Sequence, residues 1–189
     1  MRRYLGPVIA ICWKDILLET RSKGILVTVS IFSLLVVVIF NFAVEPNPRF
    51  TELVAPGVIW IAIMFGGTLG IMKSFTREKE QGNIHALMLA PVGRDAVFFG
   101  KMLANFLFMV IVEVIVFPVS ILLFNLSFNL FTLVPTVFFA TLGIAIVGTV
   151  FSAMAANTRV SEVIMPLLFF PAAVPLLISA VEVSGMVIR

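Results

Sequence analysis

The sequence has little of what soluble enzymes need. It contains one cysteine and one histidine, and only 12% of its residues are charged. A single cysteine excludes an internal disulfide, a CxxC redox pair and a cysteine-rich metal site. Soluble domains carry about 25% charged residues, so this charge content excludes an ordinary soluble fold.

Motifs for catalysis are also missing. The sequence has no HExxH, no GxSxG and no pair of aspartates within an apolar run, which excludes the corresponding hydrolases. The stretch GRDAVFFGK has six residues between its glycines, where a nucleotide-binding loop needs four. The lone histidine, His85, is more typical of a polar surface residue than of a ligand. We therefore predict no enzyme activity and no bound cofactor or metal.

The sequence is instead rich in long apolar runs. Of its 189 residues, 61% are hydrophobic, with a mean hydropathy of +1.16. These values predict an all-α polytopic membrane protein that forms one domain over residues 1–189. Five runs are long enough to cross the hydrocarbon core: 24–44, 53–72, 102–124, 131–155 and 163–181. Three prolines in the last run predict irregular backbone there.

Residues 1–23 differ from these runs because apolar and charged positions alternate with helical spacing. Val8, Cys12 and Ile16 share one predicted face with Ile9, Trp13 and Leu17, whereas Lys14, Asp15 and Glu19 lie on another. The pattern predicts an amphipathic helix in the membrane surface. Basic residues concentrate before the first span and in residues 73–101, which places the N-terminus and that loop in the cytoplasm.

The loop at residues 73–101 holds eight of the 23 charged residues. The second span is expected to continue as helix until Gly82. A short helix should follow and end before Pro91, and Asp95 should cap the third span. A structured element and a solvated loop resting on lipid headgroups both fit this pattern.

Within the spans, Glu113 is the strongest polar candidate, since a carboxylate at mid-bilayer costs about 2.5–3.5 kcal/mol. A position nearer the interface, or a protonated carboxyl that is hydrogen-bonded to a neighbouring helix, would explain it without a function. Two small-residue faces, one with Gly66 and Gly70 and the other with Gly148 and Ser152, predict close helix packing within the chain or between two copies.

Several segments resemble one family of transporter subunits. The loop pattern E-K-E-x-G, an apolar short helix and A-P-V-x-R is similar to the first cytoplasmic loop of ABC-2 type exporter permeases. WKDILLETRSK, PGVIWIAIMFGGTLGIMKSFTREKEQG and LAPVGRDAVFFGKMLAN are similar, more narrowly, to the heme exporter protein B family (CcmB), the permease of cytochrome c-type biogenesis. Members of that family have six spans, so the five visible here suggest that the sequence stops before the last.

The resemblance implies a non-enzymatic permease in the bacterial inner membrane. Its implied partners are an ABC ATP-binding subunit that holds ATP, a second copy of the chain, a heme-handling membrane protein and a periplasmic heme chaperone, with no nucleic acid. Heme is the implied cargo, unless the complex only releases the heme-loaded chaperone. The residues implied in coupling to the ATPase are Glu78, Glu80, Gly82, Ile84, Leu87, Met88, Pro91 and Arg94.

Two other functions remain open on the sequence alone. An ABC-2 permease that exports a drug, a lipid or a glycan would carry the same coupling loop. A membrane assembly scaffold without transport activity would share the hydropathy and topology but would have no reason to bind an ATPase.

Overall fold

The structure is a computed structural model that describes residues 2–22, 24–44, 48–80, 92–127, 129–155 and 161–188. Over these ranges the chain forms helices and no strand. The helices are α1 (Arg2–Ser22), α2 (Gly24–Ala43), α3 (Pro48–Glu80), α4 (Arg94–Phe124), α5 (Leu130–Ala155) and α6 (Ser161–Ile188). The predicted all-α fold is confirmed.

Five of the described helices, α2 to α6, are long and apolar enough to cross a membrane. This confirms the predicted polytopic membrane protein with five spans. Two helices extend well past the apolar runs: α3 continues to Glu80, and α4 begins at Arg94, not near Met102. With 33 residues, α3 is about 50 Å long, whereas the hydrocarbon core is about 30 Å thick.

The central helix of the bundle is α3. It packs against α2, α4, α5 and α6, and 72% of its most apolar stretch is buried, against 22–33% in the other four spans. Its side chains Ile59, Trp60 and Ile63 are among the largest fully buried groups. A movement of α3 would therefore reach every other span.

The last helix is regular where irregular backbone was expected. Pro166, Pro171 and Pro175 all lie inside α6, which runs without a break from Ser161 to Ile188. Each proline removes one backbone hydrogen bond, but leaving the helix would expose more unpaired backbone groups to lipid. Packing of α6 against α5 and α3 favours the continuous helix, so the prediction from the prolines was wrong.

The turn between α4 and α5 lies in the gap between the predicted runs 102–124 and 131–155. Asn125 ends α4 with φ 50° and ψ 47°, the left-handed conformation that asparagine tolerates better than most residues. The Leu126 N–H donates to the Ile121 carbonyl at 3.1 Å, which satisfies one of the last carbonyls of α4. The short connection makes α4 and α5 antiparallel neighbours.

The first helix packs on α4 through one side only. Val8, Ile11 and Cys12 are buried, and a Cβ added at Gly100 would lie 2.9 Å from the Ile11 Cβ. Because Gly100 has no side chain, α1 approaches the α4 backbone closely. The outward face carries Leu5, Ile9, Trp13 and Leu17, all exposed. The apolar face expected from the sequence is thus divided between α4 and the surroundings.

Ser184→Ala should lower the free energy of unfolding by about 1 kcal/mol. The Trp60 Nε1–H donates to the Ser184 Oγ at 2.9 Å, and both side chains are buried, so the substitution leaves the indole N–H without its partner. Ser179→Ala on the exposed side of α6 is the matched control and should cost less than about 0.5 kcal/mol. Unfolding of the purified protein by SDS in mixed micelles measures both; equal effects would contradict a stabilising α3–α6 hydrogen bond.

Candidate functional site

The residues expected to couple the chain to an ATPase lie around the end of α3. Glu78 and Glu80 belong to the last turn of that helix, so the predicted helical continuation of the second span reaches them. Gly82, Ile84, Leu87, Met88 and Pro91 lie outside the described residues, as does His85. Their role in coupling stays a prediction.

The other end of the charged loop is the start of α4. Gly93 is the N-cap residue of this helix, and no side chain caps it. Arg94 is the first helical residue and is exposed. Asp95 lies in the first turn, where a carboxylate favours the helix dipole. The expectation that Asp95 caps the helix was wrong because α4 begins one residue before it.

A buried ion pair lies two turns into α4. The Lys101 Nζ is 3.2 Å from the Asp15 Oδ2 of α1, and the Lys14 Nζ is 3.0 Å from the Asp15 Oδ1. Lys101 is only 5% exposed. Buried charges are costly unless they are paired, so this contact fixes α1 against α4.

Lys101 also contacts α3. Its Nζ lies 4.8 Å from the centroid of the Phe75 ring, a favourable cation–π distance. Phe75 is one turn before the charged end of α3. The two helices that enter and leave the charged loop therefore meet α1 at one cluster, Asp15, Phe75 and Lys101. Sequence reasoning missed this cluster, because its members are far apart in the chain.

Deeper in the bundle, Glu113 has a partner on the next helix. The Thr141 hydroxyl of α5 donates to the Glu113 Oε1, and Glu113 is 4% exposed. This contact matches the alternative in which a hydrogen bond to a neighbouring helix explains the intramembrane carboxyl. It gives Glu113 a structural role at the α4–α5 interface.

A second polar pair lies two turns closer to the charged loop on the same interface. The Asn105 Nδ2 donates to the Thr149 Oγ1 at 2.9 Å, and both side chains are buried. Asn105 is eight residues before Glu113 in α4, and Thr149 is eight residues after Thr141 in α5. The two pairs therefore share one antiparallel register. The sequence offered a signal only for Glu113.

The small residues expected at helix contacts meet other helices of the same chain. A Cβ at Gly66 would collide with the Ser33 Oγ of α2, and one at Gly70 with the Phe108 ring of α4. A Cβ at Gly148 would lie 2.8 Å from the Ile71 Cδ1 of α3. Ser152 is buried, and its Oγ has no hydrogen-bond partner among the residues that the structure describes. The glycine positions are thus occupied by intrachain neighbours.

The described residues offer no metal centre, since they contain no group of three or more His, Cys, Asp or Glu side chains that could hold an ion. Cys12 lies in the α1–α4 contact. Burial, and secondly the negative charge of Asp15, raise the pKa of its thiol. Cys12 is therefore a poor nucleophile and acts as a small apolar residue.

Comparison with known proteins gives a match along nearly the whole chain. The family model described as CcmB protein matches residues 7–188. Three similar proteins named "Heme exporter protein B" come from Haemophilus influenzae, Rhodobacter capsulatus and Bradyrhizobium diazoefficiens. They are 27%, 26% and 26% identical over 159, 174 and 180 residues. The matches cover 82%, 92% and 95% of this chain and 72%, 80% and 81% of the relatives.

Lys101→Met should lower the free energy of unfolding by about 3 kcal/mol, because it leaves the Asp15 carboxylate without its buried partner. Lys14→Met removes the more exposed partner of the same carboxylate and should cost less than about 1 kcal/mol. Unfolding of both variants in mixed micelles gives the comparison. Similar losses in the free energy of unfolding for both variants would contradict the prediction that the buried Asp15–Lys101 pair contributes more than the exposed Asp15–Lys14 pair.

Thr141→Val should cost about 1 kcal/mol of stability, because an isosteric methyl group replaces the hydroxyl that donates to the Glu113 Oε1. Thr141→Ser keeps the donor and should stay within about 0.5 kcal/mol of the parent. The same unfolding measurement separates them. A larger loss for serine than for valine would mean that packing, not the hydrogen bond, matters at this position.

Proposed function

The chain belongs to the CcmB protein family, and on that premise we propose that it is the membrane-spanning permease subunit of a heme exporter that acts in cytochrome c maturation. The observation that carries the proposal is the family match over residues 7–188, which includes the five spans found in the described residues and the charged loop. The organisms of the relatives are bacteria, so the proposed location is the bacterial inner membrane.

We propose no enzyme activity for this chain itself. Its sequence lacks a nucleotide-binding loop, so ATP would be bound and hydrolysed by a separate ABC subunit at the cytoplasmic face. That subunit would dock on the loop at residues 73–101, with a second copy of the chain completing the transporter. A heme-handling membrane protein and a periplasmic heme chaperone are the further partners that we propose.

The helices that flank the loop support a mechanical role for it. An uninterrupted α3 joins Glu80 to the centre of the bundle. Its contacts with four other spans would spread a push on the loop through the membrane domain. The cluster of Asp15, Phe75 and Lys101 would pass the same push to α1. In this mechanism, closure of the ATPase pair moves the residues around Glu78 and Glu80, and α3 and α4 follow as rigid bodies.

We favour release of a heme-loaded chaperone over passage of heme through this chain. A heme conduit would be expected to offer axial ligands such as methionine or histidine in the spans. Met64 and Met109 are buried in the apolar core, whereas Met154 is 60% exposed. The Met109 side chain fills the space beside Gly67. Of these three methionines, Met64 and Met109 therefore pack in the core, and Met154 lies on the exposed side of α5.

Titration of the purified chain with heme, followed by absorbance, tests that preference. Saturable, stoichiometric binding would count against it. Loss of this binding in a methionine variant would favour the conduit. Stability-matched variants at Met109 and Met154 distinguish a ligand from a packing residue, because only the ligand changes the heme spectrum.

The proposal as a whole is tested by affinity purification of the tagged chain from its native membrane in mild detergent. Mass spectrometry should identify a P-loop ATPase together with heme-handling proteins. An ATPase without heme proteins would favour a permease for a drug, a lipid or a glycan. Recovery of neither would favour an assembly scaffold and would contradict the transporter function.

The double variant Glu78→Lys, Glu80→Lys should reduce the amount of co-purified ATPase about tenfold, since charge reversal at a docking surface opposes the complementary charge of the partner. Cytochrome c maturation in cells should fall with it. Glu182→Lys, an exposed site on α6, is the control and should leave both unchanged at equal expression. Normal ATPase recovery and normal maturation in the double variant would exclude the coupling role.

A further inference from the structure

A cavity of about 390 Å³ lies where α1, α2, α3 and α4 meet. No coupling residue within the described ranges lines it. One part of its wall is polar and consists of Asp15, Glu19, Thr20, Ser74 and Asn105. The other lining residues are apolar, so the cavity offers a ligand both polar and apolar contacts.

The polar wall is rich in hydrogen-bond acceptors. The Glu19 Oε1 accepts from the backbone N–H of Leu26 at 2.7 Å, in the first turn of α2. A carboxylate can accept about four hydrogen bonds, so Glu19 retains capacity for a ligand. Among the described residues that line the cavity, none is basic. These features fit a ligand group with several N–H donors and a positive charge.

The net charge near the cavity limits the ligand further. The carboxylates of Asp15 and Glu19 are balanced by Lys14 and Lys101, which contact Asp15 from outside the lining. A ligand with no net charge would therefore add no uncompensated charge to this partly buried place. A zwitterion that turns its cationic group towards Glu19 satisfies both conditions.

The apolar wall extends into the membrane-spanning region. Ala104, Phe108 and Ile111 line it along one face of α4, a length of about 10 Å at 1.5 Å per residue. Ile111 is 43% exposed on the outer surface of the span. Ile25 and Leu26 line the cavity from the start of α2. The cavity thus continues towards the lipid, where an acyl chain can enter.

We propose that this cavity binds a phospholipid with a primary ammonium headgroup, of the phosphatidylethanolamine type. The ammonium donates hydrogen bonds to the Glu19 carboxylate, and the upper part of one acyl chain lies against Phe108 and Ile111. The lipid would fill the space between α1 and the spans beside the Asp15–Lys101 pair. This site does not depend on heme or an ATPase.

The test is photolabelling of the purified full-length protein in detergent with phosphatidylethanolamine and phosphatidylcholine probes that carry the same photoreactive acyl chain. Phosphatidylcholine has no N–H donor, so the ethanolamine probe should label the lining segments of α1 and α4 about tenfold more strongly. Peptide mapping by mass spectrometry locates and quantifies the label. Equal labelling of these segments by both probes would overturn the proposal.

Glu19→Gln is the decisive variant because its amide oxygen can still accept from the Leu26 N–H while the charge is lost. It should abolish the preference for ethanolamine. Glu182→Gln, the same change at an exposed site on α6, should retain it. A preference that survives in Glu19→Gln would overturn the proposal, and so would stronger labelling by an anionic phosphatidylglycerol probe.

A second variant tests the cavity independently of charge. Ala104→Ile adds apolar volume to the wall from α4 and should abolish labelling of the lining segments by either probe. Thermal unfolding of each variant in the same detergent establishes that the fold is retained. Undiminished labelling of a folded Ala104→Ile protein would place the lipid elsewhere and overturn the site.

Discussion

Most polar groups buried between the described spans have hydrogen-bond partners within the chain, and this constraint organises the bundle. Lipid offers no hydrogen bonds, so each buried hydroxyl, amide or carboxyl favours the helix arrangement that pairs it. Trp60 with Ser184 joins α3 to α6, and Glu113 with Thr141 joins α4 to α5. Apolar side chains would pack in several registers, whereas these pairs form in only one.

The existence and number of the described spans could be predicted from the sequence, because the length of an apolar run reflects the thickness of the bilayer directly. The ends of the helices could not. Hydropathy falls where the chain leaves the hydrocarbon, but backbone hydrogen bonds continue the helix into the polar region. For this reason α3 extends to Glu80 and α4 begins at Arg94. The prolines of α6 led to a prediction of irregular backbone where the helix is continuous. Local helix propensity does not include the free-energy cost of unpaired backbone groups in lipid.

The polar contacts were predictable only in part. Glu113 stood out because a carboxyl is rare in an apolar run, yet nothing in the sequence singled out Thr141 among the threonines of the spans. The Asp15–Lys101 pair was not foreseen, since 86 residues separate its members and each alone is typical of a surface charge. Such contacts follow from the tertiary arrangement, in which Gly100 lets α1 approach α4.

During synthesis, α1 emerges from the ribosome well before α4, on which it finally packs. Until then, Val8, Ile11 and Asp15 have none of their α4 partners, and α2 and α3 must enter the bilayer first. The outward-facing residues Leu5, Ile9 and Trp13 would allow α1 of the nascent chain to lie on the membrane surface until α4 is inserted. The two-sided character of α1 would thus matter during assembly as well as in the finished protein: one side could rest on the bilayer, and the other packs on α4 once that helix is in place.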